Sequence, residues 1–82
     1  MVEIRFDKKF VKIFSKIKDQ GLRKRIMVQI KKISENPGIG KPMRNVRKGT
    51  RELYVKPFRI SYAYHVPIDV ALILDLYHKD KQ

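Results

Sequence analysis

Arginine, histidine, glutamate and lysine cluster in the second half of this chain in an order that suits phosphate chemistry. In the stretch Phe58-Arg59-Ile60-Ser61-Tyr62-Ala63-Tyr64, period-2 alternation places Phe58, Ile60, Tyr62 and Tyr64 on one face and Arg59 on the other. A guanidinium on a stiff strand is a permanently charged fork that can hold a phosphate bidentately, although the same pattern also fits an ordinary surface arginine. Cleavage of RNA by its own 2′-hydroxyl needs cations for the phosphorane, a base for the hydroxyl and an acid for the leaving 5′-oxygen. His78 is a candidate acid, because an unperturbed imidazole donates near neutrality. Strict alternation gives it the parity of Leu72, Leu74 and Leu76, so a bulge or bend at the strand end is required before it faces Arg59. Otherwise it is a histidine at a frayed strand end. Glu52 is either a base or a salt-bridge partner of the arginines, and the salt bridge is the favoured reading. Tyr54, Tyr62, Tyr64 and Tyr77 read mainly as packing residues, with Tyr77 best placed to stack on a base.

Other chemistries find no support. The chain has 82 residues and no cysteine, which rules out disulfides and thiolate zinc ligation. His65 and His78 lack partners at metal-ligand spacing, so no metal site and no cofactor are expected. The Gly38–Pro42 segment opens no helix and lacks the remaining positions of a nucleotide-binding loop. Paired carboxylates at a useful separation are missing. The longest apolar run, Val70 to Leu74, is a strand's length rather than a membrane span; a soluble, cytoplasmic protein is expected.

Twenty Lys and Arg against eight Asp and Glu leave a formal charge of +12, which points to a polyanion. Lys41, Arg44, Arg47, Lys48, Arg51, Lys56 and Arg59 lie close together, with Glu52 the only acid among them. Nucleic acid fits this cluster best, and an acidic protein partner is compatible with it.

The elements that must carry these residues follow from periodicity. Val2–Phe6 alternates as a strand. Asp7 sits at an N-cap position before Phe10, Ile13, Phe14 and Ile17, the stripe of an amphipathic helix. Gly21 is placed to stop that helix in the left-handed conformation. A second helix over about 22–35 buries Leu22, Ile26, Ile30 and Ile33, leaves Arg23, Arg25, Lys31 and Lys32 in solvent, and ends at Asn36-Pro37. Residues 37–48 form a loop or ragged sheet edge. Arg51–Val55 and the Phe58 strand make a hairpin around Lys56-Pro57, Pro67-Ile68-Asp69 turns the chain, and Val70–Leu74 is a strand covered on both faces. The expected fold is a single α+β domain over residues 1–82. Its order is β-α-α-β-β-β, a mostly antiparallel twisted sheet with an αα-hairpin packed on one face and Arg59 on the other.

With these elements in place, the chain resembles the RelE/ParE superfamily of toxins from type II toxin-antitoxin modules. The resemblance runs over nearly the whole chain. It is sharpest in N-P-G-I-G-K-P-M-R-N (36–45), R-E-L-Y-V (51–55), F-R-I-S-Y (58–62) and I-L-D-L-Y-H-K-D (73–80). It implies a microbial-RNase-like fold and, for the RelE branch, a ribosome-dependent mRNA endoribonuclease that cuts at the A site by metal-free transesterification. By position Arg59 matches the arginine on the scissile phosphate. Lys79 falls where RelE proper has a second arginine, and His78 lies in a Tyr-His pair like that of the YoeB branch. The paired lysines of RelE proper are replaced here by Glu52 and Tyr54, and its late tyrosine and C-terminal helix have no counterpart. The resemblance thus assigns catalysis to Arg59, His78, Lys79 and Glu52, and RNA contact to Lys41, Arg44, Lys48, Arg51 and Tyr77. Its implied partners are a RelB-like antitoxin, in a hetero-oligomer, and the ribosome with its mRNA. Two other outcomes are compatible with it: a ParE-like inhibitor of DNA gyrase, or an inactive co-repressor that only binds antitoxin.

Overall fold

A computed structural model describes residues 1–81 of the chain. The chain runs β1 (Glu3–Phe6), α1 (Lys8–Ser15), α2 (Gln20–Glu35), β2 (Lys41–Pro42), β3 (Arg51–Val55), β4 (Phe58–His65) and β5 (Val70–His78). Short 3-10 turns at Asn45–Arg47, Val66–Ile68 and Lys79–Lys81 complete it. The strands form one sheet in the order β1-β5-β4-β3-β2, with β1 parallel to β5 and every other pair antiparallel. The α+β architecture read from the sequence is therefore the one observed, with a two-residue β2 added at the edge of the expected loop.

Both helices begin as their sequences dictate. The Asp7 carboxylate accepts the Lys9 amide proton at 2.9 Å, and Asp19 accepts that of Leu22 at 3.1 Å; caps of this kind contribute about 1 kcal/mol each. The boundary between the helices differs from expectation. α1 ends at Ser15, and Gly21 lies in the first turn of α2. The stop comes instead from Arg23, which donates from one nitrogen to the carbonyls of Phe14 and Ile17, both at 2.9 Å. Its guanidinium also stands 4.3 Å from the centre of the Phe14 ring. Arg23 is thus a half-buried tie between the helices, not a solvated charge, because orphan carbonyls at a helix end need donors.

The core lies between the helices and one face of the sheet. Phe10, Leu22, Ile26, Ile30 and Ile33 meet Val55, Ile60, Tyr62, Ala71, Ile73 and Leu76. Burying each large aliphatic side chain contributes roughly 1.5–3 kcal/mol. Tyr62 is fully buried, and its hydroxyl is satisfied twice: it donates to the Pro37 carbonyl at 2.8 Å and accepts from the Gly40 amide at 2.9 Å. A methyl group at Gly40 would lie 2.7 Å from that hydroxyl oxygen and 3.1 Å from the Arg51 Cβ. The glycine is required because backbone passes directly over the phenol.

The β4–β5 ladder contains a bulge. Ser61 pairs with Asp75 and Tyr62 with Ile73, so Leu74 has no opposite residue. Upstream of it Ala71 and Ile73 face the helices; downstream Leu76 and His78 do, opposite Ile60 and Phe58. Leu72 and Leu74 are only half-buried, so β5 is less completely covered than its uniform apolarity suggests.

Two substitutions test the Tyr62 anchor. Gly40→Ala is expected to cost about 1–3 kcal/mol through overpacking. Tyr62→Phe, which strands the Gly40 amide, should cost about 1–3 kcal/mol. Urea unfolding at neutral pH measures both, and wild-type midpoints would show that the contact is dispensable.

Candidate nucleic-acid interface

On the face of the sheet away from the helices, Tyr54 stands opposite Arg59, and Arg59 opposite Tyr77. Residues directly opposite in an antiparallel ladder share a face, so these three form a row. Glu52 lies one step along β3 on the same face and is buried, its side chain only 3% exposed. Arg47 donates to Glu52 Oε2 at 3.1 Å, and Arg59 donates to Oε1 at 3.4 Å. The Tyr77 hydroxyl also donates to Oε2. The Arg47 guanidinium stands 4.7 Å from the centre of the Tyr77 ring. Turn, β3, β4 and β5 therefore meet at one carboxylate.

That arrangement revises the roles expected of several residues. Arg59 is not a free fork: one nitrogen holds Glu52, and its Nε is buried without a hydrogen-bond partner among the described residues. Glu52 is the salt-bridge partner rather than an exposed base. Tyr77 gives its hydroxyl to Glu52 and has the Arg47 guanidinium beside its ring. Arg51 stands opposite Tyr62, on the helix side, and gives one nitrogen to the carbonyls of Gly38 and Gly40 at 3.2 and 2.7 Å; it braces the loop. Tyr54, expected to pack, is 49% exposed.

His78 is separated from the group. It stands opposite Phe58 on the helix side, its ring in edge contact with that phenyl at 5.8 Å. The bulge that could have turned it falls at Leu74, upstream of Leu76, and so leaves His78 in phase with the core. Its Nδ1 accepts the Asp80 amide proton at 3.3 Å.

Lys79 does join Arg59. Its ammonium lies 5.6 Å from the centre of the Tyr54 ring, and the Arg59 guanidinium lies 5.9 Å from the same ring. Lys41 stands opposite Glu52, exposed, and lines a surface hollow with Arg44; Lys48 is exposed on the loop beyond. In the sequence Arg47 is one charge in a basic run. Only its proximity to Glu52 marks it, and the two are brought together by the turn at Asn45–Arg47. Two cations, Arg47 and Arg59, thus hold one carboxylate, and Lys79 adds a third positive charge beside the Tyr54 ring, so the group retains positive charge for an anion. Among the described residues no cluster of metal-ligating side chains is present, and no helix is long and apolar enough to cross a membrane.

The Tyr77 phenol is pushed up to about 12, first by burial and then by its bond to Glu52, against the opposing pull of Arg47 and Arg59. Between an ordinary phenol near 10 and this value, unfolded chains have lost the proton that folded chains retain. Its contribution to stability is therefore complete below pH 10 and lost as pH rises through about 12. Tyr77→Phe should flatten that part of the stability profile relative to wild type in urea titrations across the window. An identical alkaline fall in both proteins would contradict the Glu52–Tyr77 bond.

A sequence model of the family described as "ParE toxin of type II toxin-antitoxin system, parDE" matches residues 4–82. No curated protein sequence matches the chain. Among solved structures, a chain of the intact Escherichia coli RelBE toxin-antitoxin complex superposes with a TM-score of 0.82 at 14% identity, covering 95% of this chain and 96% of that one. A chain of the RelBE2 complex from Mycobacterium tuberculosis gives 0.82 at 22% identity, with 95% and 98% covered. The YoeB/ParE toxin from Agrobacterium tumefaciens gives 0.80 at 13% identity, with 93% and 96% covered.

Proposed function

The chain belongs to the ParE toxin family of type II toxin-antitoxin systems, and from that premise we propose that it is a toxin acting on RNA, a ribosome-dependent endoribonuclease. The observation that carries this reading is the open-face group in which Arg59 on β4, with Arg47 and Lys79 from the flanking turns, outnumbers the single acid Glu52 on β3. Preorganised cations of this kind stabilise charge that develops on a phosphoryl group. In the reaction the 2′-oxygen attacks phosphorus as its proton passes to water, the bond to the 5′-oxygen breaks and that oxygen takes a proton from water, leaving a 2′,3′-cyclic phosphate and a 5′-hydroxyl. Arg59 and Arg47 contact the non-bridging oxygens and Lys79 adds charge beside them. Lys41, Arg44 and Lys48 guide the strand. His78, on the other face, takes no part, and Glu52 holds the arginines instead of accepting the proton. Alignment of the 2′-oxygen is then left to the ribosome, which places the toxin in the cytoplasm.

Solved complexes pair RelE toxins with RelB antitoxins, one of them with a RelB peptide. A RelB-like antitoxin is the partner proposed here, its acidic groups lying over the basic face.

A second reading, a gyrase inhibitor without nuclease activity, is favoured by one feature: Arg59 is already engaged by Glu52, and no imidazole is among the side chains that contact this pair. Induction in cells with mapping of mRNA 5′-ends separates the two. Codon-phased cuts in translated messages are expected, whereas intact messages with accumulated DNA breaks would overturn the nuclease. At matched levels of folded protein, Arg59→Ala should lower cutting roughly 10²-fold, and His78→Ala should leave it unchanged. A collapse of cutting in His78→Ala would return the histidine to the mechanism.

A further inference from the structure

We propose that the groove between α2 and the β3–β4 hairpin is a second contact site for single-stranded RNA, continuing the open-face site around the edge of the sheet. This rests on the RNA reading above. The groove, about 360 Å³, is flanked by Lys24, Arg25 and Lys56, has Val28 and Tyr54 in its wall, and includes no carboxylate. Its volume is at the small end for ligand clefts, suited to one unit of a chain passing through it rather than a folded partner.

Two features connect it to the phosphate-holding face. Tyr54 belongs to both: it lines the groove, and its ring carries the nearby charges of Arg59 and Lys79. A strand leaving those cations crosses Tyr54 and meets Lys56 and Lys24 next. The sheet edge is also open there, because β2 pairs only with Arg51 and Glu52 and leaves the rest of β3 without a strand on that side. Unpaired edge amides are donors available to phosphate or base oxygens. Arg25 donates to the Lys56 carbonyl at 3.3 Å and so braces helix against hairpin. Lys24 and Lys56 are exposed and make no ion pair among the described residues, which leaves their charge for a polyanion.

The test is fluorescence anisotropy of the full chain with a labelled 2′-O-methyl oligouridylate, which the 2′-oxygen chemistry cannot cut, across a salt series. Wild type is compared with Lys24→Ala/Lys56→Ala, with a control of equal charge, Lys8→Ala/Lys12→Ala, and with Arg59→Ala. Losing two phosphate contacts should lower the slope of log affinity against log salt by about 1.4, roughly 0.7 for each contact to a single strand. The α1 control should keep the wild-type slope. A groove variant with the wild-type slope, beside an Arg59→Ala that lowers it, overturns the groove and leaves the RNA reading standing. Equal losses in groove variant and control overturn it as well, since the effect is then net charge alone. Absence of salt-dependent binding by wild type defeats the RNA reading and the groove with it. Should the groove variant retain RNA but lose an acidic peptide offered as competitor, the groove is a protein-docking edge and the proposal falls. Thermal unfolding of each variant confirms that folded proteins are compared.

Discussion

Taking the Glu52 carboxylate out of water is the constraint around which the open face is built. A charge with almost no solvent exposure costs several kcal/mol unless it finds opposite charge and donors in good geometry. Here the donors are Arg47, Arg59 and Tyr77, from a turn and two strands. Satisfying one buried acid therefore brings the loop after β2 down onto the sheet and limits where the guanidinium groups can point. The same ion pairs that organise the cations also draw on their charge, and the surplus left by Arg47, Arg59 and Lys79 is what remains for a ligand.

The other face is held by a different device. Tyr62 joins the apolar core to the segment leaving α2, through the Pro37 carbonyl and the Gly40 amide, and Arg51 binds the carbonyls of Gly38 and Gly40 from alongside. Both ends of the loop containing Lys41, Arg44 and Lys48 are consequently anchored, one beneath the sheet and one above it. Basic residues on this loop are presented from a fixed base, which suits guidance of an extended strand more than enclosure of a small molecule.

The superpositions combine high structural similarity with identities of 13–22%. Such divergence is tolerated where apolar volume and pattern are preserved, while activity depends on the few side chains that the scaffold presents. In this chain those side chains include an acid, Glu52, in the middle of the basic ladder, and its pairing with Arg59 is the main local feature that any mechanism must accommodate.

Much of the architecture was legible in the sequence alone. The i, i+3, i+4 stripes of both helices, the Asp7 cap of the first, the Lys56-Pro57 hairpin and the apolar run of β5 are local patterns, and local patterns are written in neighbouring residues. The likeness to toxins of this superfamily was legible too, from the order of short motifs. Arg59 was correctly placed on the face opposite Ile60 and Tyr62, since both assignments need only strict alternation. The partnerships needed the tertiary structure. Arg23 as the stop of α1, Arg51 as a loop brace and Arg47 as a member of the charged group all depend on turns that bring together residues from different elements, which no helix or strand period encodes. Leu72 shows the reason most clearly: strict alternation groups it with Leu76 and His78, but the unpaired Leu74 shifts β5 so that Ala71 and Ile73 face the helices upstream, and no periodicity within the strand reveals where its neighbour β4 imposes that shift. Types and spacings determined which groups are present; the register between strands decided which of them meet.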